Sequence, residues 1–96
     1  MDQRISLITL GVQDMERSAA FYDTLGWRRV ESQDGVIAYD LLGQTLGLYP
    51  LEKLAEDIGL DVADLGAGRA TLGYNCREKD EVGALLAQVE HAGGKI

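Results

Sequence analysis

The sequence predicts a single α+β domain in which a βαβββ module is followed by the beginning of a second module. Three features of the 96-residue chain support this: a strand and an amphipathic helix near the start, three short strands separated by glycine turns, and a later strand–helix pair. The first strand contains the letters TLGV and the later one TLGY, which indicates an internal repeat. We divide the domain 1–96 into a first module (1–50), a helix and linker (51–68) and a partial second module (69–96).

The first strand and helix have the clearest patterns. The stretch Ile5–Val12 is rich in β-branched and apolar residues that alternate between two faces, which predicts a strand. Asp14 is a candidate N-cap, because its carboxylate can accept a hydrogen bond from a free backbone N–H. Gly26 is expected to end the helix. One apolar helix face is formed by residues at steps of three and four, namely Met15, Ser18, Phe21, Tyr22 and Leu25.

Three further strands complete the first module. They are expected at Trp27–Ser32, Val36–Leu42 and Thr45–Pro50. Asp34-Gly35 is typical of a hairpin turn between the first two of them, and Gly43 turns the chain before the last.

The remainder of the chain starts the repeat. A short helix is expected at Leu51–Gly59, a linker at 60–68, a strand at Arg69–Cys76 and a second long helix at Lys79–Gly94. The final letters, KI, look like the start of another strand. The long helix has an apolar stripe formed by Val82, Leu85, Leu86 and Val89.

Composition excludes several classes of protein. The formal net charge is −7, so a nucleic-acid backbone would be repelled. No apolar run is long enough for a membrane span, and the first residues do not resemble a signal peptide, so we expect a cytoplasmic location and no membrane partner. Cys76 is the only cysteine, which leaves no internal disulfide and no cysteine cluster for zinc; we expect it to be a buried small hydrophobe.

Three isolated features are candidates for a functional role. His91 is the only histidine and lies at the predicted end of the last helix, which favours a surface role. The Gly-x-Gly within Gly66–Gly73 precedes a strand, whereas a dinucleotide-binding loop follows one, so we interpret it as a linker. Asp40 interrupts an apolar strand and has two open interpretations: a functional base or cation partner, or a carboxylate that faces water at a sheet edge.

The stretch LGVQDMERSAAFYDTLGW resembles the glyoxalase / bleomycin-resistance / dioxygenase superfamily, also called vicinal oxygen chelate proteins. The matching features are the strand end at Val12, the helix start at Asp14, and the pairs Arg17-Ser18, Phe21-Tyr22 and Leu25-Gly26. The resemblance implies two βαβββ modules whose sheets form an open cup around a metal or ligand, and it implies a homodimer. Family members usually have three more strands than this sequence, so we expect either that a second copy covers the open sheet or that the chain is a shortened form.

The resemblance also assigns positions for a metal. Metal-dependent members carry one ligand on the first and one on the fourth strand of each module, and these positions correspond here to Leu7, Gly47 and Thr71. A divalent metal prefers a histidine nitrogen or a carboxylate oxygen. Because these three residues supply neither, we expect no metal and no cofactor.

Strand alternation predicts which residues face the cup. The candidates for ligand binding are Leu7, Thr9, Tyr49, Thr71 and Asn75, and alternation adds Thr45, Gly47 and Gly73 to the same face. Hydroxyl and amide groups beside apolar walls suit a small, partly apolar molecule, although the same groups could equally satisfy only one another.

The sequence therefore favours metal-independent binding of a small molecule, with sequestration of a cationic compound as one form of it. The first alternative is a metal-dependent glyoxalase-type lyase or isomerase, or an extradiol-type dioxygenase, with metal donors from further strands or a partner chain. The second alternative is a non-catalytic dimerisation module.

Overall fold

The computed structural model describes residues 1–30, 32, 35–66, 70–94 and 96. Within these residues five strands form one mixed sheet, and the α+β class and the βαβββ order of the first module are confirmed. The strands are β1 (Leu7–Val12), β2 (Arg29–Val30), β3 (Ile37–Asp40), β4 (Thr45–Pro50) and β5 (Ala70–Gly73). The helices are α1 (Met15–Thr24), α2 (Leu51–Ile58) and α3 (Glu81–His91), with a short 3-10 turn at Val62–Asp64.

The sheet has the order β2-β3-β4-β1-β5. Strand β1 is parallel to β4 and antiparallel to β5. In the β1–β5 pair Thr9 lies opposite Thr71, and these are the first residues of the two TLG repeats. The internal repeat is therefore a structural one, because the two related strands lie side by side and meet at their matching threonines.

Helix α1 packs on one face of the sheet and forms the main core. The Asp14 carboxylate caps the helix by accepting a hydrogen bond of 3.0 Å from the Arg17 backbone N–H. Residues of this helix and of the strands beneath it are buried together: Ala19, Tyr39, Leu46 and Leu48.

A polar cluster ties α1 to strands β2 and β3. The hydroxyl of the fully buried Tyr39 donates to Asp23 at 2.9 Å and lies 3.1 Å from the Ala19 carbonyl oxygen. Arg29 forms ion pairs with Asp23 at 2.9 Å and with Glu16 at 3.1 Å. The pKa of Asp23 is lowered mainly by the hydrogen bond from Arg29 and secondly by the one from Tyr39. The pKa of Tyr39 is raised mainly by burial and secondly by its hydrogen bond to the Asp23 carboxylate.

Helix α2 covers one end of the opposite sheet face, which carries Leu7, Thr9 and Gly11 and which we call the cup face. A Cβ on Gly11 would lie 2.7 Å from a methyl of Leu54 and 2.9 Å from a methyl of Leu51. The missing side chain at Gly11 thus allows α2 to approach the sheet closely. Leu51, Leu54 and Ala55 are buried by this contact, and Gly59, with φ of 76°, ends the helix.

Strand β5 is shorter than predicted, because it ends at Gly73 rather than Cys76. Side chains replace the ladder beyond that point: the Arg4 guanidinium donates to the Asn75 carbonyl at 2.9 Å, and the Asn75 N–H donates to the Ser6 hydroxyl at 3.0 Å. The guanidinium also lies 4.2 Å from the centre of the Tyr74 ring. The N-terminal segment therefore holds this part of the chain outside the strand.

Other boundaries differ by a few residues. The first strand begins at Leu7 rather than Ile5, the last helix is shorter at both ends, and Ile96 is not in a strand. The predicted linker contains the 3-10 turn. Its positions 67 and 68 lie outside the described residues, as do positions 33 and 34 of the predicted hairpin turn.

Helix α3 is the least covered of the three α-helices. No residue of α3 is buried, and its predicted apolar stripe leaves Val82, Leu86 and Val89 exposed. Among the described residues, no helix combines the length and the apolar character that a membrane span requires.

Candidate functional site

A cleft of about 290 Å³ opens on the cup face beside α2. Strands β1, β4 and β5 supply its floor, α2 supplies one wall, and the residue before β3 supplies another. Its lining residues are Thr9, Val36, Tyr49, Leu54, Asp57, Ile58 and Thr71.

The floor brings hydroxyl groups together across neighbouring strands. Thr9 and Thr71 are direct partners in the antiparallel β1–β5 pair, so their side chains lie side by side, with Cβ atoms about 5 Å apart. Tyr49 is two residues beyond Gly47 on β4 and contributes a third hydroxyl. Three hydroxyl-bearing residues therefore line one cleft.

Gly47 opens the space above this floor. It lies opposite Thr9, and a Cβ at this position would lie 3.3 Å from a methyl of Val36 and 3.8 Å from the Thr9 hydroxyl oxygen. A larger residue would therefore occupy part of the space between the β4 backbone and the residue before β3.

The α2 wall is apolar with one charged group. Leu54 and Ile58 provide the apolar surface, and Asp57 adds a carboxylate in the last turn of the helix. A helix C-terminus carries a partial negative charge, and the last turn of α2 contains no basic residue. This end of the cleft is consequently electronegative.

The predicted ligand-binding residues are distributed unevenly around this cleft. Thr9, Tyr49 and Thr71 line it together. Leu7 lies on the cup face next to the cleft, where its side chain covers Gly47 and Gly73 on the neighbouring strands.

Asn75 lies outside the cleft. Because β5 ends at Gly73, strand alternation no longer fixes the direction of its side chain, and the residue is exposed. The cup-facing position of Asn75 therefore lacks the strand register on which it was based, and it stays a prediction.

Sequence reasoning missed the α2 contribution. The helix itself was expected, and its apolar residues at steps of three and four already indicated a face that needs burial. Its position against Gly11 and the resulting wall of Leu54, Asp57 and Ile58 depend on tertiary packing.

Two other predictions concern single residues: His91 lies in the last turn of α3 as predicted, and Cys76 is half-buried rather than buried.

A family model described as the Glyoxalase/Bleomycin resistance protein/Dioxygenase superfamily matches residues 4–96. The chain belongs to this superfamily. Among solved structures, a glyoxalase-related enzyme from Fulvimarina pelagi is 32% identical, with a TM-score of 0.58 over 98% of this chain and 68% of that one. A hypothetical protein from S. aureus is 25% identical, with a TM-score of 0.56 over 97% of this chain and 71% of that one. Among curated proteins none is significantly similar.

The residues of this superfamily member do not fit a divalent metal at the positions that metal-dependent relatives use. Leu7 has its Cβ 3.3 Å from the place of a Cβ on Gly73 and a methyl 3.6 Å from that of Gly47, so an apolar side chain fills this part of the cup face. Thr71 offers one neutral oxygen, which is a poor donor for zinc, nickel or iron. Across the ranges described, no three His, Cys, Asp or Glu residues are grouped closely enough to hold a metal ion.

Proposed function

We propose that this member of the glyoxalase superfamily binds a small, partly apolar molecule in the cup-face cleft, and that it does so without a metal ion held by its own side chains. The observation that supports the proposal most strongly is the composition of the cleft: three hydroxyl-bearing residues, Thr9, Tyr49 and Thr71, face an apolar wall of Leu54 and Ile58. Ligand sites in proteins commonly combine a mostly apolar lining with a few polar groups that fix orientation.

The size of the cleft limits the ligand. A volume of about 290 Å³ is near the lower end of the range for small-molecule sites. We therefore expect a molecule with one ring or a short branched chain and with at least one group that can exchange hydrogen bonds with a hydroxyl.

Charge favours a cationic ligand. Asp57 and the C-terminus of α2 lie at one end of the cleft, and the whole chain has a formal net charge of −7. An electronegative cleft on an acidic protein raises the local concentration of small cations. Sequestration of a cationic compound is the form of binding that these charges support.

A thermal-shift screen of small cationic drugs and metabolites, with neutral analogues and with EDTA present throughout, tests the proposal. A compound that binds only the folded state must raise the melting temperature. Thr71→Val, which removes one hydroxyl from the cleft, should weaken the shift, whereas the control Thr24→Val on α1 should not. Failure of every compound to stabilise the protein, or equal loss with both variants, would contradict the proposal.

Catalysis is the second candidate, because the 32% identical structure from Fulvimarina pelagi is described as a glyoxalase-related enzyme. A metal-dependent lyase, isomerase or dioxygenase would need donors that Leu7, Gly47 and Thr71 do not supply. Metal analysis of the purified protein separates the two candidates. One equivalent of zinc, nickel, manganese or iron per chain, retained after dialysis, would favour the enzyme.

A further inference from the structure

A second cleft, of about 700 Å³, opens at the edge of the sheet where β3 ends. Its lining residues are Trp27, Arg28, Asp40, Leu41 and Leu42, and it shares none of them with the cup-face cleft. The site described above therefore does not account for it.

Two residues of opposite charge, Arg28 and Asp40, line this second cleft. Strands β2 and β3 are antiparallel, with Arg29 opposite Tyr39. Continuing this register by one residue places Arg28 opposite Asp40, on the same face of the sheet. Within the described residues neither side chain forms an ion pair or a hydrogen bond, whereas the adjacent Arg29 is fully engaged by carboxylates of α1.

The residues beside these charges are apolar, and ring contacts hold Trp27 in place. The indole of Trp27 stacks on the Tyr22 ring at 5.1 Å and meets the Tyr39 ring edge-on at 6.0 Å, yet 39% of the residue remains exposed. Leu42 is fully exposed at the tip of the β3–β4 hairpin, which is closed by a 2.7 Å hydrogen bond from the Leu41 N–H to the Gln44 carbonyl. The cleft thus presents an apolar surface next to one positive and one negative residue.

We propose that the second cleft binds a small zwitterion with an apolar side chain, which is the chemistry of a free apolar or aromatic amino acid. The guanidinium of Arg28 can donate two parallel hydrogen bonds to a carboxylate, and Asp40 can accept from the adjacent ammonium. The side chain of the ligand then packs against Trp27, Leu41 and Leu42.

Selectivity follows from the opposite charges. A ligand with only a negative charge can bind Arg28 but is repelled by the Asp40 carboxylate. A ligand with only a positive charge can bind Asp40 but is repelled by the Arg28 guanidinium. Discrimination of this kind arises from the repulsive contact as much as from the attractive one.

Three probes with the same phenyl-alkyl body separate these contributions: L-phenylalanine, 3-phenylpropionate and phenethylamine. The chain has one tryptophan, so the indole N–H resonance of Trp27 in a ¹H–¹⁵N spectrum reports on this cleft without assignment. It does not report directly on the cup-face cleft, which Trp27 does not line. We expect L-phenylalanine to shift this resonance with a dissociation constant at least about fivefold lower than either analogue at pH 7.

Charge-neutral variants provide the matched test. Arg28→Gln and Asp40→Asn should each weaken binding of L-phenylalanine at least about fivefold, to the level of the single-charge analogues. The controls Arg77→Gln and Glu90→Gln remove the same charges from exposed positions outside the cleft and should leave the affinity unchanged.

Three results would overturn the inference. One is an indole resonance that none of the probes moves, and another is equal affinity for all three probes. The third is an indole resonance that shifts with protein concentration alone, because the cleft would then be a contact between copies of the chain.

Discussion

The same substitution, glycine to alanine, should have opposite effects at two positions of this chain. At Gly11 the added methyl would lie 2.7 Å from Leu54 and 2.9 Å from Leu51, in the contact that seats α2 on the cup face. At Gly83, in α3, no heavy atom would lie within 4 Å of the added methyl, apart from the adjacent residues and the helix's own backbone. Gly11→Ala therefore tests the close approach of α2, and Gly83→Ala is its matched control.

The magnitudes follow from these distances. Overpacking by one methyl costs about 1–3 kcal/mol, and alanine recovers part of this by restricting the unfolded chain. We expect Gly11→Ala to lower the free energy of unfolding by about 1–2 kcal/mol. In a helix, alanine is favoured over glycine by about 0.5–1 kcal/mol, so Gly83→Ala should raise the stability by up to that amount.

Urea denaturation followed by far-ultraviolet circular dichroism measures both effects, with the slope of the transition checked for each variant. The packing argument would be refuted if Gly11→Ala were as stable as the parent protein. It would also be refuted if both variants changed stability in the same direction and by the same amount.

Three further outcomes are expected. Tyr39→Phe should lower the free energy of unfolding by about 1–2 kcal/mol in the same urea assay, because it removes a buried hydroxyl that has two acceptors within reach. The control is Tyr22→Phe, because the Tyr22 hydroxyl forms no hydrogen bond within the described residues. It should change the free energy of unfolding by less than about 0.5 kcal/mol. The pKa of Asp23 is lower in the folded protein, so the ionised carboxylate stabilises the fold above the ordinary pKa of 3.8, and this stabilisation is lost as the pH falls further. Measured against pH, the free energy of unfolding should therefore decrease in this acidic range. Asp23→Asn should make that decrease smaller. Asp57→Asn should weaken binding of a cationic ligand found in the thermal-shift screen about fivefold by calorimetry, and the control Glu56→Gln, which is outside the cleft, should not.

The strands and helices of the first module follow from local patterns. Alternation over β1 and β4 correctly placed Thr9, Gly47 and Tyr49 on one face, because both strands are regular and register carries the alternation across the sheet. The Asp14 cap was also predictable, since it depends only on a side chain and the N–H three residues later.

The parts that could not be predicted depend on contacts distant in sequence. Asn75 leaves the sheet because Arg4 and Ser6 bind its backbone, and no local pattern near β5 indicates this. Tyr39 is fully buried beneath α1, where the Asp23 carboxylate accepts its hydroxyl hydrogen, and no local pattern near β3 indicates this contact. The α2 wall required the knowledge that Gly11 has room for a helix above it. The expected homodimer and cytoplasmic location stay predictions.

The central claim, that the cup-face cleft holds its ligand with hydroxyl groups and without a metal, is tested most directly by one titration. The metal-stripped, ¹⁵N-labelled protein is titrated in EDTA with the compound that raises the melting temperature most, and the titration is repeated after addition of zinc, nickel, manganese and iron. We predict amide shifts centred on Thr9 and Thr71, with the same dissociation constant in both series. Shifts that appear only after a metal is added, or that centre away from these two threonines, would contradict the account.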